Sequence, residues 1–328
     1  MPKLRFIGLA TVLLLLYGSW ASSMSAAGAA VPEEATSSRA QPATTLGPDT
    51  PVASDGSSVA SPISSAEVSS AGVDGHQGTG VAGDPTVAQP DGKTDPGYNG
   101  QESVIGTDDR TQVTATTSFP NSAIVRITFS AGSCTGWMIG QNTVATAGHC
   151  VAQGGVGFYD VSTYTIAPGQ NGSSQPFGTC GATRLFSVSG WLDSNNEEYD
   201  YGAIKLKCNI GNNTGWFGFF WQSASLTGSE ATVTGYPGDK PFGTSWTHTL
   251  SIAVTEDRQL FYQIDTAGGQ SGSPVWKPNQ PNLCSGGCAM AIHAYGLHGA
   301  APHGTNNHGS RITEARFNNL ISWRDAPK

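Results

Sequence analysis

Ser271 is the residue of this 328-residue chain whose surroundings best suit a nucleophile. It lies in the run GGQSG at 268–272, where the glycines permit a tight turn that exposes the hydroxyl. The backbone N–H groups of Gly269 and Ser271 could then converge on the oxyanion of a tetrahedral intermediate. An ordinary Gly/Ser turn is the alternative for this run taken alone. The lipase-type elbow is excluded, because a glycine follows the serine directly.

Two further residues would complete a catalytic triad with this serine. His149 follows the β-prone run TVATA, and a neutral imidazole there can accept the serine proton and return it to a leaving amine. Asp200 precedes the apolar run YGAI, where a carboxylate is costly to bury unless it meets a donor. The ring N–H of His149 would be that donor and would fix the imidazole tautomer. The three residues together predict peptide hydrolysis through an acyl-enzyme intermediate.

The elements that must position these residues indicate an all-β protein with a C-terminal α-helix. Short β-prone runs separated by Gly, Pro and Asn are typical of a sandwich or barrel. They lie at 123–129, 143–147, 231–236, 260–265 and 290–293. Thr313 can cap the helix, in which Phe317, Leu320 and Ile321 share one face at helical spacing.

The first 102 residues differ in composition from the rest. Residues 1–29 carry Lys3 and Arg5 before an apolar run and then small residues, which predicts a cleaved signal peptide and a secreted, extracellular product. Residues 30–102 are rich in Ala, Ser, Thr, Gly and Pro, with ten acidic side chains against two basic ones. Such a segment cannot offset its chain entropy by burying apolar surface. We therefore predict a disordered, low-complexity propeptide at 30–102.

Charge and hydropathy exclude two classes of protein. The formal net charge of -8 argues against a nucleic-acid partner. This negative charge lies in segment 30–102, and residues 103–328 are nearly neutral. No uninterrupted apolar run reaches the roughly 20 residues of a membrane span, so we expect no membrane contact after signal cleavage. Residues 103–328 are the predicted catalytic unit.

Six cysteines all lie within this catalytic unit, and an even number in a secreted chain predicts disulfides. Two pairs follow from their positions, one of them beside His149. The third pair brackets Asp200, where a disulfide and free thiols are the two alternatives. A zinc site is disfavoured because the spacings fit no ligand pattern, so no metal site is predicted. The expected pairs are, in that order, Cys284 with Cys288, Cys134 with Cys150, and Cys180 with Cys208.

Several motifs between 103 and 328 carry a family resemblance: SVIGTDDR (103–110), SCTGWMIG (133–140), TVATAGHC (143–150), YDYGAI (199–204), GYPGDK (235–240), DTAGGQSGSP (265–274) and RIT (311–313). Together with the chain order His149, Asp200, Ser271, they resemble the chymotrypsin-fold serine proteases. The similarity is closer to the secreted glutamyl endopeptidases of Gram-positive bacteria. The resemblance implies two six-stranded β-barrels with the triad between them, and cleavage after acidic residues.

The sequence gives two competing indications of which substrate residue is recognised on the N-terminal side of the cleaved bond. Asp265 lies six residues before Ser271, where trypsin-like enzymes place the acid that binds Arg or Lys, so cleavage after basic residues is one alternative. Thr266 and His293 match the positions with which the resembling family binds a substrate carboxylate. An imidazolium and a hydroxyl would satisfy that carboxylate, so we predict cleavage after Glu and less well after Asp. A packed strand histidine is the alternative for His293, and an inactive homologue acting as a binding module is the alternative for the chain.

The junction between segment 30–102 and the catalytic unit suits such an enzyme as its own substrate. Cleavage after Glu102 would release a mature chain that begins at Ser103, or at Val104 after trimming. Gln270 stands where digestive proteases have an Asp that pairs with the new N-terminus. The resemblance instead places the new amino group near the substrate carboxylate, so Ser103 and Val104 are expected to contribute to substrate binding.

No cofactor is expected for catalysis. A structural calcium ion has no support in the sequence, because acids such as Asp108 and Asp109 suit solvated surface positions as well as oxygen ligation. The expected partners are polypeptide substrates, and the chain is expected to be a monomer.

Overall fold

The computed structural model describes residues 47–59, 68–81, 83–96 and 102–328. The signal peptide predicted at 1–29 lies outside the described residues. The described part contains twenty β-strands, three α-helices and four 3₁₀ turns. Within these ranges no helix has the length and apolarity needed to cross a membrane.

The strands are β1 (Pro51–Ala53), β2 (Ser70–Val73), β3 (Thr86–Val87), β4 (Thr111–Val113), β5 (Ile124–Phe129), β6 (Gly132–Gly140), β7 (Thr143–Thr146), β8 (Ala152–Gln153), β9 (Gly157–Phe158), β10 (Thr165–Pro168), β11 (Ser174–Gln175), β12 (Cys180–Val188), β13 (Gly202–Leu206), β14 (Gly218–Gln222), β15 (Glu230–Gly235), β16 (Ser245–Thr255), β17 (Gln259–Tyr262), β18 (Pro274–Lys277), β19 (Cys288–Tyr295) and β20 (Asn307–Arg311). The α-helices are α1 (Ser189–Leu192), α2 (Gly211–Thr214) and α3 (Glu314–Asp325). The 3₁₀ turns span Asn121–Ala123, Gly148–Cys150, Val161–Thr163 and Glu197–Tyr199.

Six antiparallel strands close the first barrel in the order β12-β10-β5-β6-β7-β13, with β13 pairing back onto β12. Closure removes the open sheet edges that would otherwise pair with other chains. Apolar residues such as Ile127, Phe129 and Trp137 on β5 and β6 are fully buried in its core. In this barrel the end of β7 lies beside the start of β13, so the residues that flank these two strand ends are close together.

A second set of six antiparallel strands closes in the order β18-β15-β16-β17-β20-β19, with β19 pairing back onto β18. Its separate core includes Val233, Leu260 and Met290. The loop between β17 and β18 carries Ser271. The two barrels confirm the predicted all-β, chymotrypsin-like architecture.

Helix α3 confirms the predicted C-terminal helix. The Thr313 side chain caps it by accepting a hydrogen bond from the Arg316 backbone N–H. Phe317, Leu320 and Trp323 are buried along one face, and the Trp323 ring stacks on Phe186 of the first barrel at 5.8 Å between ring centroids. The helix therefore packs its apolar stripe onto the first barrel.

The described parts of segment 30–102 correct the prediction of disorder. Strand β1 pairs with β12 of the first barrel, β2 pairs with β14, and β3 pairs with β11. Asp49 adds a hydrogen bond from the Tyr201 hydroxyl at 2.9 Å. The composition of the segment reflects only the apolar surface that it could bury by itself. The segment instead pairs its backbone with strand edges that the catalytic unit supplies.

Candidate active site

His149 and Asp200 meet because the strands beside them are neighbours. His149 lies in the 3₁₀ turn after β7, and Asp200 lies just before β13, which pairs with β7. The His149 Nδ1 and Asp200 Oδ2 atoms are 2.7 Å apart, and the His149 backbone N–H donates to Asp200 Oδ1 at 2.8 Å. A side chain at Gly148 would place its Cβ 2.9 Å from Asp200 Oδ1, so this close approach requires glycine.

The second barrel also holds the Asp200 carboxylate and backbone. The Tyr295 hydroxyl donates to Asp200 Oδ2, and the Ser310 hydroxyl donates to the Asp200 carbonyl at 2.9 Å. Sequence reasoning missed both residues, because the β19 and β20 motifs carry no local sign of contact with a distant carboxylate.

The turn that bears Ser271 is clamped between the barrels. Gly269 and Gly272 adopt φ values of 102° and 88°, which favour glycine. The Gly272 N–H donates to the His293 carbonyl at 2.7 Å. From the first barrel, the Thr135 N–H donates to the Ser271 carbonyl at 2.9 Å, and its hydroxyl donates to the Gly269 carbonyl at 2.8 Å. These bonds hold the turn that bears Ser271 to strands of both barrels.

Two acids of the N-terminal segment contact the groups that the predicted reaction would use. The Ser271 hydroxyl donates to Glu102 Oε1 at 2.5 Å, and the Gly269 N–H donates to Asp95 Oδ2 at 2.8 Å. The other oxygen of Asp95 lies 3.7 Å from His149 Nε2. Among the described residues, that nitrogen has no hydrogen-bond partner. The Ser271 hydroxyl therefore bonds to Glu102 in place of the predicted bond to His149. The Asp95 carboxylate lies at the predicted oxyanion hole.

The protonation states follow from this crowding of buried charges. Burial opposes a charged His149, but the charge and hydrogen bond of Asp200, together with the nearby charge of Asp95, raise the pKa of His149 well above its usual value. Burial, reinforced by the charge of Asp95, raises the pKa of Glu102 well above its usual value. Burial also opposes a charged Asp95, yet the nearby charge of His149 and the hydrogen bond from the Gly269 N–H hold the pKa of Asp95 below its usual value. An imidazolium between two carboxylates has no lone pair with which to accept a proton.

Thr266 and His293 line the predicted specificity pocket as fully buried residues. The Thr266 hydroxyl and His293 Nε2 have no hydrogen-bond partner within the described ranges. His293 Nε2 lies 3.8 Å from Glu102 Oε1, and its Nδ1 lies 2.7 Å from the Tyr262 hydroxyl. Burial lowers the pKa of His293 to about 3, so the imidazole is neutral here rather than the imidazolium expected from the sequence. With the Tyr262 hydroxyl donating to Nδ1, Nε2 would carry the proton and could donate to a carboxyl.

Asp265 points to a different part of the chain. Its carboxylate accepts hydrogen bonds from the Ile105 N–H at 2.8 Å and the Asp109 N–H at 2.9 Å, and it lies 3.4 Å from His248 Nδ1. The carboxylate thus holds the start of the catalytic unit, and both of its oxygens are already engaged, which disfavours the trypsin-like alternative.

Ser103 is already tied to the second barrel. Its N–H donates to Asn307 Oδ1 at 3.1 Å, and its carbonyl accepts from the Asn307 amide at 2.6 Å and from the Thr266 N–H at 3.2 Å. The next residue, Val104, is partly exposed. Sequence reasoning did not identify Asn307, since a single asparagine on a strand gives no signal of this role.

Other predicted residues have structural partners. Gln270 accepts hydrogen bonds from the Ala267 N–H at 3.0 Å and from the buried Arg110 guanidinium at 3.4 Å. The Asp108 carboxylate pairs with Arg110 at 2.9 Å and with Lys240 at 2.7 Å, so its oxygens are engaged with cations rather than set out around a calcium position. All six cysteines form disulfides, which confirms the pairs Cys134–Cys150, Cys180–Cys208 and Cys284–Cys288.

Comparison with known proteins agrees with this geometry. The trypsin family model matches residues 110–321. The chain is 50% identical over 226 residues to glutamyl endopeptidase of Bacillus licheniformis, which covers 69% of this chain and 70% of that protein. It is 45% identical over 228 residues to a Bacillus subtilis protein named extracellular metalloprotease, covering 67% of this chain and 69% of that protein. A solved structure of Glu endopeptidase in complex with MPD aligns with a TM-score of 0.58 and 31% identity, covering 68% of this chain and 100% of that chain. The chain therefore belongs to the trypsin family of serine proteases, with glutamyl endopeptidases among its relatives, and is a serine endopeptidase.

Proposed function

We propose that the mature chain, residues 103–328, hydrolyses peptide bonds after Glu, and less well after Asp, outside the cell. It acts as a monomer on polypeptides and needs no cofactor for catalysis. The observation that carries this proposal is the position of Glu102, whose carboxyl lies between Ser271 Oγ and His293 Nε2 at 2.5 and 3.8 Å. A pocket that accepts this carboxyl beside the nucleophile supports recognition of an acidic side chain. The unpartnered Thr266 hydroxyl supports it further, because a buried hydroxyl without a partner is costly unless a ligand satisfies it.

The reaction follows the roles of the three triad residues. Once Asp95 and Glu102 have left the site, Ser271 Oγ attacks the carbonyl carbon while His149 Nε2 accepts its proton. The N–H groups of Gly269 and Ser271 stabilise the oxyanion. His149 then protonates the leaving amine, and the acyl-enzyme forms. Water deprotonated by His149 attacks the acyl carbon, and the serine leaves with that proton, while Asp200 stabilises the imidazolium throughout.

Removal of the N-terminal segment would complete the pocket. Asn307 and Thr266 already hold Ser103, so cleavage after Glu102 would create an α-amino group beside the residues proposed to bind the substrate carboxylate. The new positive charge favours an acidic side chain over a neutral one. Glu102 and Ser103 are therefore the proposed processing site, with Val104 as the first residue after trimming.

Matched peptides with Glu, Asp, Gln or Arg before the cut bond test this specificity through their kcat/KM values. We expect Glu to exceed Asp by about 10–200-fold, because Asp is one methylene short of the pocket partners. Efficient cleavage after Arg would support the trypsin-like alternative, and no cleavage by the processed chain would support the inactive homologue. Ser271→Ala is expected to abolish hydrolysis. Full activity in that variant would instead support the metal-dependent reaction that the name of the Bacillus subtilis relative denotes.

A further inference from the structure

A second cluster of titratable side chains packs against Tyr295, whose hydroxyl donates to Asp200, and takes no part in the proposed reaction. Glu197 comes from the 3₁₀ turn that leads to Asp200, whereas His298 and His303 lie in the loop between β19 and β20, and His308 lies on β20. One oxygen or ring nitrogen from each of the four side chains lies within 4.8 Å of the others. The cluster therefore joins an element of the first barrel to elements of the second.

The separations within the cluster suit shared ligation of one ion. Glu197 Oε2 lies 3.1 Å from His298 Nε2, and Glu197 Oε1 lies 3.0 Å from His303 Nε2. Four donors placed tetrahedrally around zinc, with bonds of about 2.0–2.2 Å, are about 3.3 Å from one another. Small side-chain rotations would thus convert the present contacts into a coordination shell.

His308 provides the independent observation. It is fully buried, and both of its ring nitrogens lack a hydrogen-bond partner in the part of the chain that the structure describes. Its ring stacks on Phe261 and Tyr295, with centroids 5.0 and 5.2 Å apart. A buried imidazole without a hydrogen-bond partner destabilises the folded chain. The ion pairs of Glu197 with His298 and His303 do not supply a partner for His308.

The surroundings favour a metal over a set of simple ion pairs. His298 Nδ1 lies 3.2 Å from the Gly296 carbonyl, which would orient Nε2 toward the ion, as is common for histidine ligands. The side chains of Glu197 and His298 are each 32% exposed, so an ion can enter from solvent. Three imidazoles and one carboxylate suit zinc and related transition metals, whereas calcium prefers oxygen ligands only.

We propose that Glu197, His298, His303 and His308 bind one divalent transition metal ion, with zinc as its natural occupant. Four protein ligands would leave no open position, so the ion is structural rather than catalytic. It would fasten the turn before Asp200 to the loop in which the Leu297 N–H donates to Ser103 Oγ at 3.2 Å. The site stands on these contacts and does not depend on the proposed specificity for Glu.

Calorimetric titration of the chelator-treated full chain with ZnCl₂ tests the site, using Ser271→Ala as the background to prevent self-cleavage. We expect one zinc ion per chain, and a loss of affinity of more than about tenfold in Glu197→Gln and in His298→Gln. Glu198→Gln is the matched control, because Glu198 lies on the same turn and contacts Arg258 instead, at 3.7 Å. CoCl₂ should give the visible absorption of tetrahedral cobalt in the background and in this control only.

The side chains of Glu197 and His298 are partly exposed, so we expect both variants to fold. Melting temperatures without metal that equal that of the background chain would verify this. Absence of saturable zinc binding in the background would overturn the proposal. Equal affinity in Glu197→Gln and the background would overturn it as well, since the ion would then bind elsewhere, for example at His149.

Discussion

The Ser271 hydroxyl donates its hydrogen bond to the Glu102 carboxyl at 2.5 Å instead of to His149, the proposed catalytic base. Asp95 lies on the other side of the same nucleophile, where it accepts from the Gly269 N–H. In the full-length chain, the hydroxyl of the proposed nucleophile and the N–H of the proposed oxyanion donor Gly269 are therefore both engaged by the N-terminal segment. Under the proposed function, this arrangement would keep the catalytic residues latent until the segment is cleaved.

Asp95→Ala should expose the oxyanion donor in the unprocessed chain. In a Glu102→Gln background, which blocks the proposed cut, we expect Asp95→Ala to raise the rate of labelling by a fluorophosphonate about 10²-fold, the usual effect of one oxyanion-hole donor. Asp91→Ala is the control, because Asp91 lies in the same segment and pairs with Arg126 at 3.3 Å. Equal labelling rates in the Asp95 and Asp91 variants would contradict the role of Asp95.

Processing should depend on Glu102 and occur between molecules. The side-chain carboxyl of Glu102 meets Ser271 Oγ in the unprocessed chain, so we expect a second molecule to cut the bond before Ser103. The Ser271→Ala chain should accumulate uncut and should be cut when mature enzyme is added. The Glu102→Gln chain should remain uncut with or without added mature enzyme. N-terminal sequencing should give Ser103 or Val104. A start well downstream of Val104, or normal processing of Glu102→Gln, would be incompatible with this site.

Thr266→Val should weaken recognition of Glu without unfolding the protein. The Thr266 hydroxyl is buried and, in the described structure, unpartnered, so only a substrate carboxylate would satisfy it. Loss of one such hydrogen bond corresponds to roughly a tenfold fall in kcat/KM for Glu peptides, with less change for Gln peptides. Thr214→Val removes a buried hydroxyl that donates to the Gly215 carbonyl and serves as the control. Parallel losses for both peptides would argue against a carboxylate contact.

The disulfides, the two barrels and the contact between His149 and Asp200 could be predicted because each depends on residues with a recognisable local pattern. Gly-rich turns, short β-prone runs and a histidine beside a cysteine are visible within a few residues. Asp95 could not be selected, since it is one of ten acids in a segment whose position is set by strand pairing with a distant barrel. His308 and Asn307 were missed for the same reason, because their neighbours come from elements far away in the sequence.

The latent form should lose stability as the pH rises above neutral. The raised pKa values of His149 and Glu102 mean that their protonated forms stabilise the folded state fully below the unfolded-state pKa values. That stabilisation is lost as the pH rises through the folded-state values. We expect the melting temperature of full-length Ser271→Ala to fall as the pH rises from below the ordinary pKa of histidine into the alkaline range. Asp95→Asn in the same background should flatten this fall, because the imidazolium then loses one of its two partners. An unchanged slope would show that Asp95 does not hold the charge on His149.

The Cys180–Cys208 disulfide should stabilise the chain more than Cys284–Cys288 does. It joins the start of β12 to a position two residues beyond β13, across a separation of 28 residues. The pairing of these two strands closes the first barrel. The other bond spans only 4 residues, so it restricts the unfolded chain less. Replacing Cys180 and Cys208 by serine should lower the free energy of unfolding by about 2–4 kcal/mol, measured by denaturant titration in the Ser271→Ala background. In the catalytically active chain, the preference for Glu over Asp should stay the same. An equal or larger loss from replacing Cys284 and Cys288 would show that loop length does not govern these contributions.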